Sequence, residues 1–285
     1  MAIQQFAHND GALNQGASSG DSVGRVLTNR AGMLLSLARD LDQAAQHARG
    51  MKRLSDWVNI SLAEAYEVQR QVVAERLKRG EKRIGVKMGY VSSAKRLQMG
   101  LSEMIWGRLT DGMIVEEGGV FKRSDHVHPR VEPELVFLLK GPLAGVVTPI
   151  QALAAVEAVA VAMEIIDSRF ENFQFSSTDA VADNASSSGV VLGPWHAPDL
   201  DFSNLGLVMS CNGNPRQIGS TAAILGHPLR SLVAAARMTA AAGEPLGAGD
   251  LVMAGGITAA EPLSAGQYVE TEMQHLGRVA FSVVS

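Results

Sequence analysis

The sequence predicts an α+β protein: a helical N-terminal segment over residues 1–80, followed by a β-rich domain over 81–285. Three observations carry this. Apolar residues recur at helical spacing before residue 80. After it, short branched or aromatic runs alternate with glycine-rich turns. Few stretches beyond 81 have the length and period of a helix, so helices and strands segregate along the chain. With 285 residues, 46% of them hydrophobic and 19% charged, the chain has material for a sizeable core.

Each element follows from local pattern. Over 23–49, apolar residues including Val26, Leu34, Leu35, Leu37 and Leu41 recur at helical spacing, which predicts a helix ending near Gly50. Ser61 and Glu64 form a capping box, in which each side chain satisfies the other's backbone N–H. Behind it Leu62, Tyr66, Val73 and Leu77 make the apolar face, and Gly80 closes the helix. Residues 83–89 read as a strand between glycines, 92–99 as a short helix, and 120–121 as a short strand. The continuous apolar run 135–139 reads as a strand buried on both sides. Thr148 before Pro149 is a helix start, predicted to run to about 159. Residues 160–167 read as another buried strand, with further strands at 189–192 and 205–209. A Leu-, Val- and Ala-rich helix covers 228–242. Alternating strands follow at 251–254, 268–273 and 279–284.

Composition excludes several classes. A net charge of −4 gives no basic footprint for nucleic acid. No apolar run approaches the length of a membrane span. The single cysteine, Cys211, rules out an internal disulfide or a cysteine-based metal cluster and fits a reducing compartment. Residues 1–20 lack the apolar core of a signal peptide, and their Asn, Gly, Ser and Gln content predicts a loosely ordered start. The expected location is the cytoplasm.

The chemistry gathers around Glu132 and Glu134. Side chains two apart on a strand share a face, so these carboxylates lie side by side next to a core. Like charges there repel and lose hydration. Two readings stand: a hard divalent cation with oxygen ligands, or an edge strand with two solvated acids. Glu164, set between Met163 and Ile165, also needs a partner. A salt bridge to Arg169 or Lys87 would serve, as would the same cation. Lys87, inside its strand, is either an edge lysine or one aimed into a site, where it would hold an anion or move a proton. The polar loops 183–189 and 255–260 are ordinary turns or cradles for a substrate carboxylate. His126 and His128 fit a loop better than a metal site. No histidine pair at helical spacing flanks a glutamate, and no Gly-x-Ser-x-Gly elbow is present.

In order along the chain, Lys87-Met88-Gly89, Arg130-Val131-Glu132-Pro133-Glu134, Glu164-Ile165-Ile166-Asp167, Asp183-Asn184-Ala185-Ser186-Ser187, Leu225-Gly226-His227-Pro228 and Gly255-Gly256-Ile257-Thr258 resemble the fumarylacetoacetate hydrolase superfamily. The similarity runs from the Ser61 helix to the C-terminus and lies in the hydratase/decarboxylase branch of aromatic meta-cleavage pathways. It implies a mixed β-roll as the catalytic domain. It implies Mg²⁺ or Mn²⁺ held by Glu132, Glu134 and Glu164, and an active-site lysine at Lys87. Hydratases of the branch usually carry Pro-Asp-Phe-Gly where this chain has Met104-Ile105-Trp106-Gly107. They tend to carry Ser-Gly-Ala-Leu-Gly near Gly256. Both departures favour decarboxylation of 2-oxo-3-hexenedioate (4-oxalocrotonate), a 2-oxo dicarboxylic acid, over hydration of 2-hydroxypenta-2,4-dienoate. Ile105 and Trp106 would then keep water from the product, and Ser186, Ser187, Gly256, Ile257 and Thr258 would contact substrate. The Leu- and Ala-rich segments can support self-association, and relatives of this branch often associate with their partner hydratase.

Overall fold

The structure, a computed structural model, describes residues 19–92, 96–97 and 104–285. The expected loose start falls almost wholly outside the described residues, as does most of the short helix expected over 92–99. The described residues include the helices α1 (Ser19–Gln46), α2 (Leu62–Lys78), α3 (Pro149–Ala154), α4 (Ser177–Ala182) and α5 (Pro228–Ala241).

The capping logic holds where the sequence placed it. The Ser61 side chain accepts from the Glu64 N–H, and Glu64 accepts from the Ser61 N–H at 2.8 Å. Gly80 takes the left-handed φ of +102° just past α2. Leu34, Leu37 and Leu41 of α1 pack on Ala65, Val68 and Val72 of α2. Two ion pairs clamp the two helices, Arg30 to Glu64 at 2.7 Å and the segment after α2 through Arg79 to Asp42 at 2.7 Å.

A curled mixed sheet follows. Its strands are β1 (Arg83–Gly89), β2 (Ile105–Thr110), β3 (Ile114–Val115), β5 (Arg130–Leu139), β6 (Val156–Ile166), β7 (Ser187–Leu192), β10 (Leu251–Met253) and β11 (Glu261–Pro262). They lie in the order β2-β1-β10-β5-β6-β7-β3, with β11 also on β5. A second, five-stranded sheet has the order β4-β13-β12-β8-β9. It comprises β4 (Val120–Lys122), β8 (Gly206–Cys211), β9 (Asn214–Ser220), β12 (Tyr268–Met273) and β13 (Gly277–Val284). Between the sheets and under α5 lies the main core, with Leu135, Phe137, Val161 and Ile165 from one sheet and Val269 and Phe281 from the other.

One element departs from expectation. The helix begun at Thr148 stops at Ala154, and β6 starts at Val156. Valines at 156, 159 and 161 favour extended backbone, and pairing with β5 from Leu139 to Arg130 recruits them into the sheet. Strands β2 and β9 carry no alternation in the sequence. β2 is buried along its whole length, and β9 is a polar edge strand beginning Asn-Pro.

Pro133 sits in the middle of β5 and has no N–H for a ladder. Its carbonyl accepts from the Ile257 N–H at 3.0 Å, so its backbone faces the passing loop rather than β6. That leaves Glu132 and Glu134 paired with β6, opposite Glu164 and Ala162.

Candidate active site

Strand parity assembles the site. Glu132 stands directly across from Glu164, and Glu134 is two residues along on the same face. Lys87 pairs with Met253, which pairs with Val136, so Lys87 shares that face across three strands. The rest of the face is apolar: Val136, Ala160, Ala162, Val190 and Met253 form a small cluster of their own.

Carboxylate oxygens of Glu132, Glu134 and Glu164 lie within 4.8 Å of one another. All three residues are buried, and so is Lys87. Of the two salt-bridge partners expected for Glu164, the structure selects Lys87, with Nζ 3.0 Å from Oε2. Arg169 turns instead to Asp183, which accepts its Nε–H at 2.5 Å. Two like charges at this separation repel by roughly 3 kcal/mol at an effective dielectric of about 20. Three carboxylates against one ammonium leave two negative charges unbalanced.

The titration of the groups reflects this. Burial, then the charge of Glu164, pushes Glu134 well above the carboxylate range. Burial also raises Glu164, to about 7, despite the pull of Lys87. Burial acts against the Lys87 ammonium, but the carboxylates, Glu164 first, more than offset it and leave its pKa raised.

These residues fit a hard divalent cation. Glu134 Oε1 and Glu164 Oε1 are buried and accept no hydrogen bond. The donors are all oxygen, as such ions require. The Gly255-Gly256 backbone is drawn in close: Gly255 donates its N–H to Glu134 Oε2 at 2.8 Å. A Cβ on Gly256 would lie 2.7 Å from Glu132 Oε2, so a larger residue there must push that carboxylate aside.

Lys87 is aimed by a strained turn. Asn184, Ala185 and Ser186 all have left-handed φ, +51°, +52° and +60°. Ala185 thereby presents its carbonyl to Lys87 Nζ at 3.0 Å. The Asn184 side chain holds the turn in place by accepting from the Arg108 N–H at 2.8 Å and donating to the Arg108 carbonyl at 2.9 Å. That exchange closes the curled sheet between β2 and the start of β7. Non-glycine residues in this conformation cost energy that the surroundings must supply, and they concentrate at functional sites.

Two cavities meet at Glu132, Gly89 and Tyr90. One, of 420 Å³, is lined by Lys87, Ile105, Ala185 and Ser186. The other, of 600 Å³, is lined by Gly256, Ile257 and Thr258. The structure thus brings together Lys87, Ile105, Ser186, Gly256, Ile257, Thr258 and the three glutamates. It does not bring Trp106 or Ser187. Trp106 lies on the opposite face of β2, pairs with Met88, and stacks on Tyr66 at 5.6 Å between ring centroids. Ser187 points its hydroxyl at Met113 and lines a separate polar cavity with Asp183 and Arg169. Sequence reasoning missed Tyr90, Phe173, Phe175 and Arg53, which also line the smaller chamber. Tyr90 follows Gly89 directly, and that adjacency was the only signal available for it.

The molecule is thus a curled mixed sheet with an acidic centre and a buried lysine. Residues 82–284 match the fumarylacetoacetate (FAA) hydrolase C-terminal family, and the chain belongs to that family. Among its relatives, 4-oxalocrotonate decarboxylase of Pseudomonas sp. is 53% identical over 246 residues, covering 86% of this chain and 96% of the relative. A solved 4-oxalocrotonate decarboxylase from Pseudomonas putida G7, complexed with magnesium and adipate, superposes with a TM-score of 0.86 at 37% identity. It covers 89% of this chain and 98% of its own. A 2-hydroxyhexa-2,4-dienoate hydratase of Comamonas testosteroni is more distant, 32% identical over 243 residues, or 83% of this chain and 92% of the hydratase.

Proposed function

We propose that the chain is a carboxy-lyase that converts 2-oxo-3-hexenedioate to 2-hydroxypenta-2,4-dienoate and CO2 in an aromatic meta-cleavage pathway. The observation that carries this is the trio of buried carboxylates, two with orphan oxygens, beside a buried lysine. The decarboxylase relatives support it. Glu132, Glu134 and Glu164 would hold Mg²⁺ or Mn²⁺. When bound, the cation supplies Lewis-acid stabilisation of the negative charge that develops on the 2-oxo oxygen.

The substrate is a vinylogous β-keto acid. Its C5–C6 bond breaks, CO2 departs, and the electron pair runs through the C3–C4 double bond onto the ketone oxygen. Proton transfer to that oxygen gives the dienol product. Lys87 holds a proton beside the site, oriented by the Ala185 carbonyl and Glu164. Ile105, almost fully buried, keeps water from the dienolate so that it leaves unhydrated. Ser186 and Thr258 offer hydroxyls to substrate oxygens, one from each chamber. In this reading residues 81–285 form the metal-binding catalytic domain and residues 1–80 a helical N-terminal segment.

We read the protein as self-associating, able to join the pathway hydratase, and working in the cytoplasm. No helix among the described residues is long and apolar enough to cross a membrane. Light scattering with and without the hydratase tests the association.

The deciding experiment is CO2 release from 2-oxo-3-hexenedioate, with EDTA and with Mg²⁺ added back. Release that stops with chelator and returns with Mg²⁺ is expected. No release under any metal, with hydration of 2-hydroxypenta-2,4-dienoate instead, would move the function to hydratase.

A further inference from the structure

The 420 Å³ chamber has two cations among its lining residues, Lys87 and Arg53. They differ in depth. The Lys87 side chain is 5% exposed and lies on the floor beside Glu164, whereas that of Arg53 is 42% exposed and lies toward solvent. The lining also includes the apolar side chains of Ile105, Ile166, Phe173 and Phe175, together with the polar Tyr90, Gln174 and Ser186. The 600 Å³ chamber has no lysine or arginine among its described lining residues.

Arg53 is set in place by its neighbours in the chain. It precedes a single 3-10 turn, Leu54–Asp56, whose Leu54 is fully buried. Ser55 donates from its N–H and its hydroxyl to Asp179 of α4, at 2.9 and 2.6 Å. Ala180, the next residue of α4, lines the same chamber. The turn is thus fastened to the chamber wall. The guanidinium is oriented by Asp56, which accepts from Nε at 3.3 Å and Nη2 at 2.6 Å and leaves the Nη1 edge to be used.

A chamber lined by a buried cation beside the glutamates and by a second, more exposed one suits a linear dicarboxylate. We infer that Arg53 is the specificity-determining residue that receives the substrate carboxylate remote from the glutamate centre and selects dicarboxylic over monocarboxylic 2-oxo acids. The inference rests on the function proposed above. Its energetics have a definite sign. The remote carboxylate departs as neutral CO2, so its pairing with a guanidinium is stronger in the ground state than in the transition state. Too firm a grip would slow the reaction, and Asp56, by sharing the guanidinium, weakens it. Arg53 therefore aids capture and gives no help to bond cleavage.

The test uses two inert chelating probes, 2-oxoadipate and 2-oxohexanoate, which differ by the remote carboxylate. Calorimetry with Mg²⁺ present should show wild type binding 2-oxoadipate about tenfold more tightly, the scale of one charge-assisted hydrogen-bonded pair. R53M should erase that preference without weakening 2-oxohexanoate. R53K should restore part of it, and D56N should widen it. With true substrate, R53M should raise KM while kcat does not fall. If R53M keeps the wild-type preference, Arg53 is not the anchor and the proposed function stands. If wild type binds neither probe with Mg²⁺, the reading of the active site fails and this inference with it.

Discussion

The two sheets obey the same alternation and put it to opposite uses. In the five-stranded sheet Val269, Thr271, Met273, Val279 and Phe281 point into the core. Glu270, Glu272 and Arg278 take outward positions, and the exposed Arg278 guanidinium comes within only 3.6 Å of Glu270. Water balances these charges, and such pairs contribute little. The eight-stranded sheet is covered on both faces around β5 and β6. A carboxylate there must be neutralised by protein or by a bound ion. Glutamates on one sheet thus keep the surface wet, while on the other they hold unbalanced charge where it can do chemistry.

The sharpest way to break this contrast is to remove one carboxylate from each sheet. E164Q should lower Mg²⁺-dependent CO2 release by at least on the order of 10²–10³-fold. It should also abolish the rise in melting temperature that Mg²⁺ gives. E270Q should change neither. Near-normal turnover and metal dependence in E164Q would end the assignment of the acidic centre.

Next in size is K87M. Loss of a positioned proton carrier should cost about 10²–10⁴-fold in kcat. The Mg²⁺-induced thermal shift should survive, because all three carboxylates remain. A K87M enzyme with normal kcat would reduce Lys87 to a charge partner.

A smaller effect separates close approach from mere proximity. G256A places a methyl against Glu132, and G141A places one in open space. Mg²⁺ affinity measured by calorimetry should drop about tenfold in G256A, the scale of a 1–2 kcal/mol overpacking strain, and remain unchanged in G141A.

The mildest prediction concerns pH. Glu164 titrates near 7 in the metal-free protein, against an ordinary value of 4.5. Between these values the folded protein holds a proton that the unfolded chain has lost. Metal-free stability should therefore fall as pH climbs from about 4.5 through about 7. Mg²⁺ must displace that proton and the one that burial keeps on Glu134, so its affinity should rise with pH across this range. Titration at pH 6 and pH 8 measures this. Equal affinities would show that Glu164 is already ionised at pH 6.

Much of this was legible in the sequence, for reasons that differ by residue. Ser61 with Glu64 and Thr148 with Pro149 announce helix starts because capping is local chemistry. The end of α3 is not local: Val156 joins β6 because β5 lies beside it. Glu132 and Glu134 could be placed on one face by parity alone. The same parity separates Ile105, which lines the chamber, from Trp106, which cannot. Strand β2 has no alternation to read, since both its faces are buried. Arg53 reaches the chamber only through the packing of Ser55 on Asp179, 124 positions along the chain. No short-range pattern encodes such a contact.

The pairing of Glu132 with Glu164 also bears on folding fidelity. Slipping β6 by one residue past β5 would turn every side chain of the slipped strand over. Glu164 would then enter the greasy layer that holds Met163 and Ile165, and those two would face the carboxylates. Misregistered intermediates are thereby penalised before any ion arrives, and a single-residue insertion within either strand should be far less tolerated than one in the loop at 141–147.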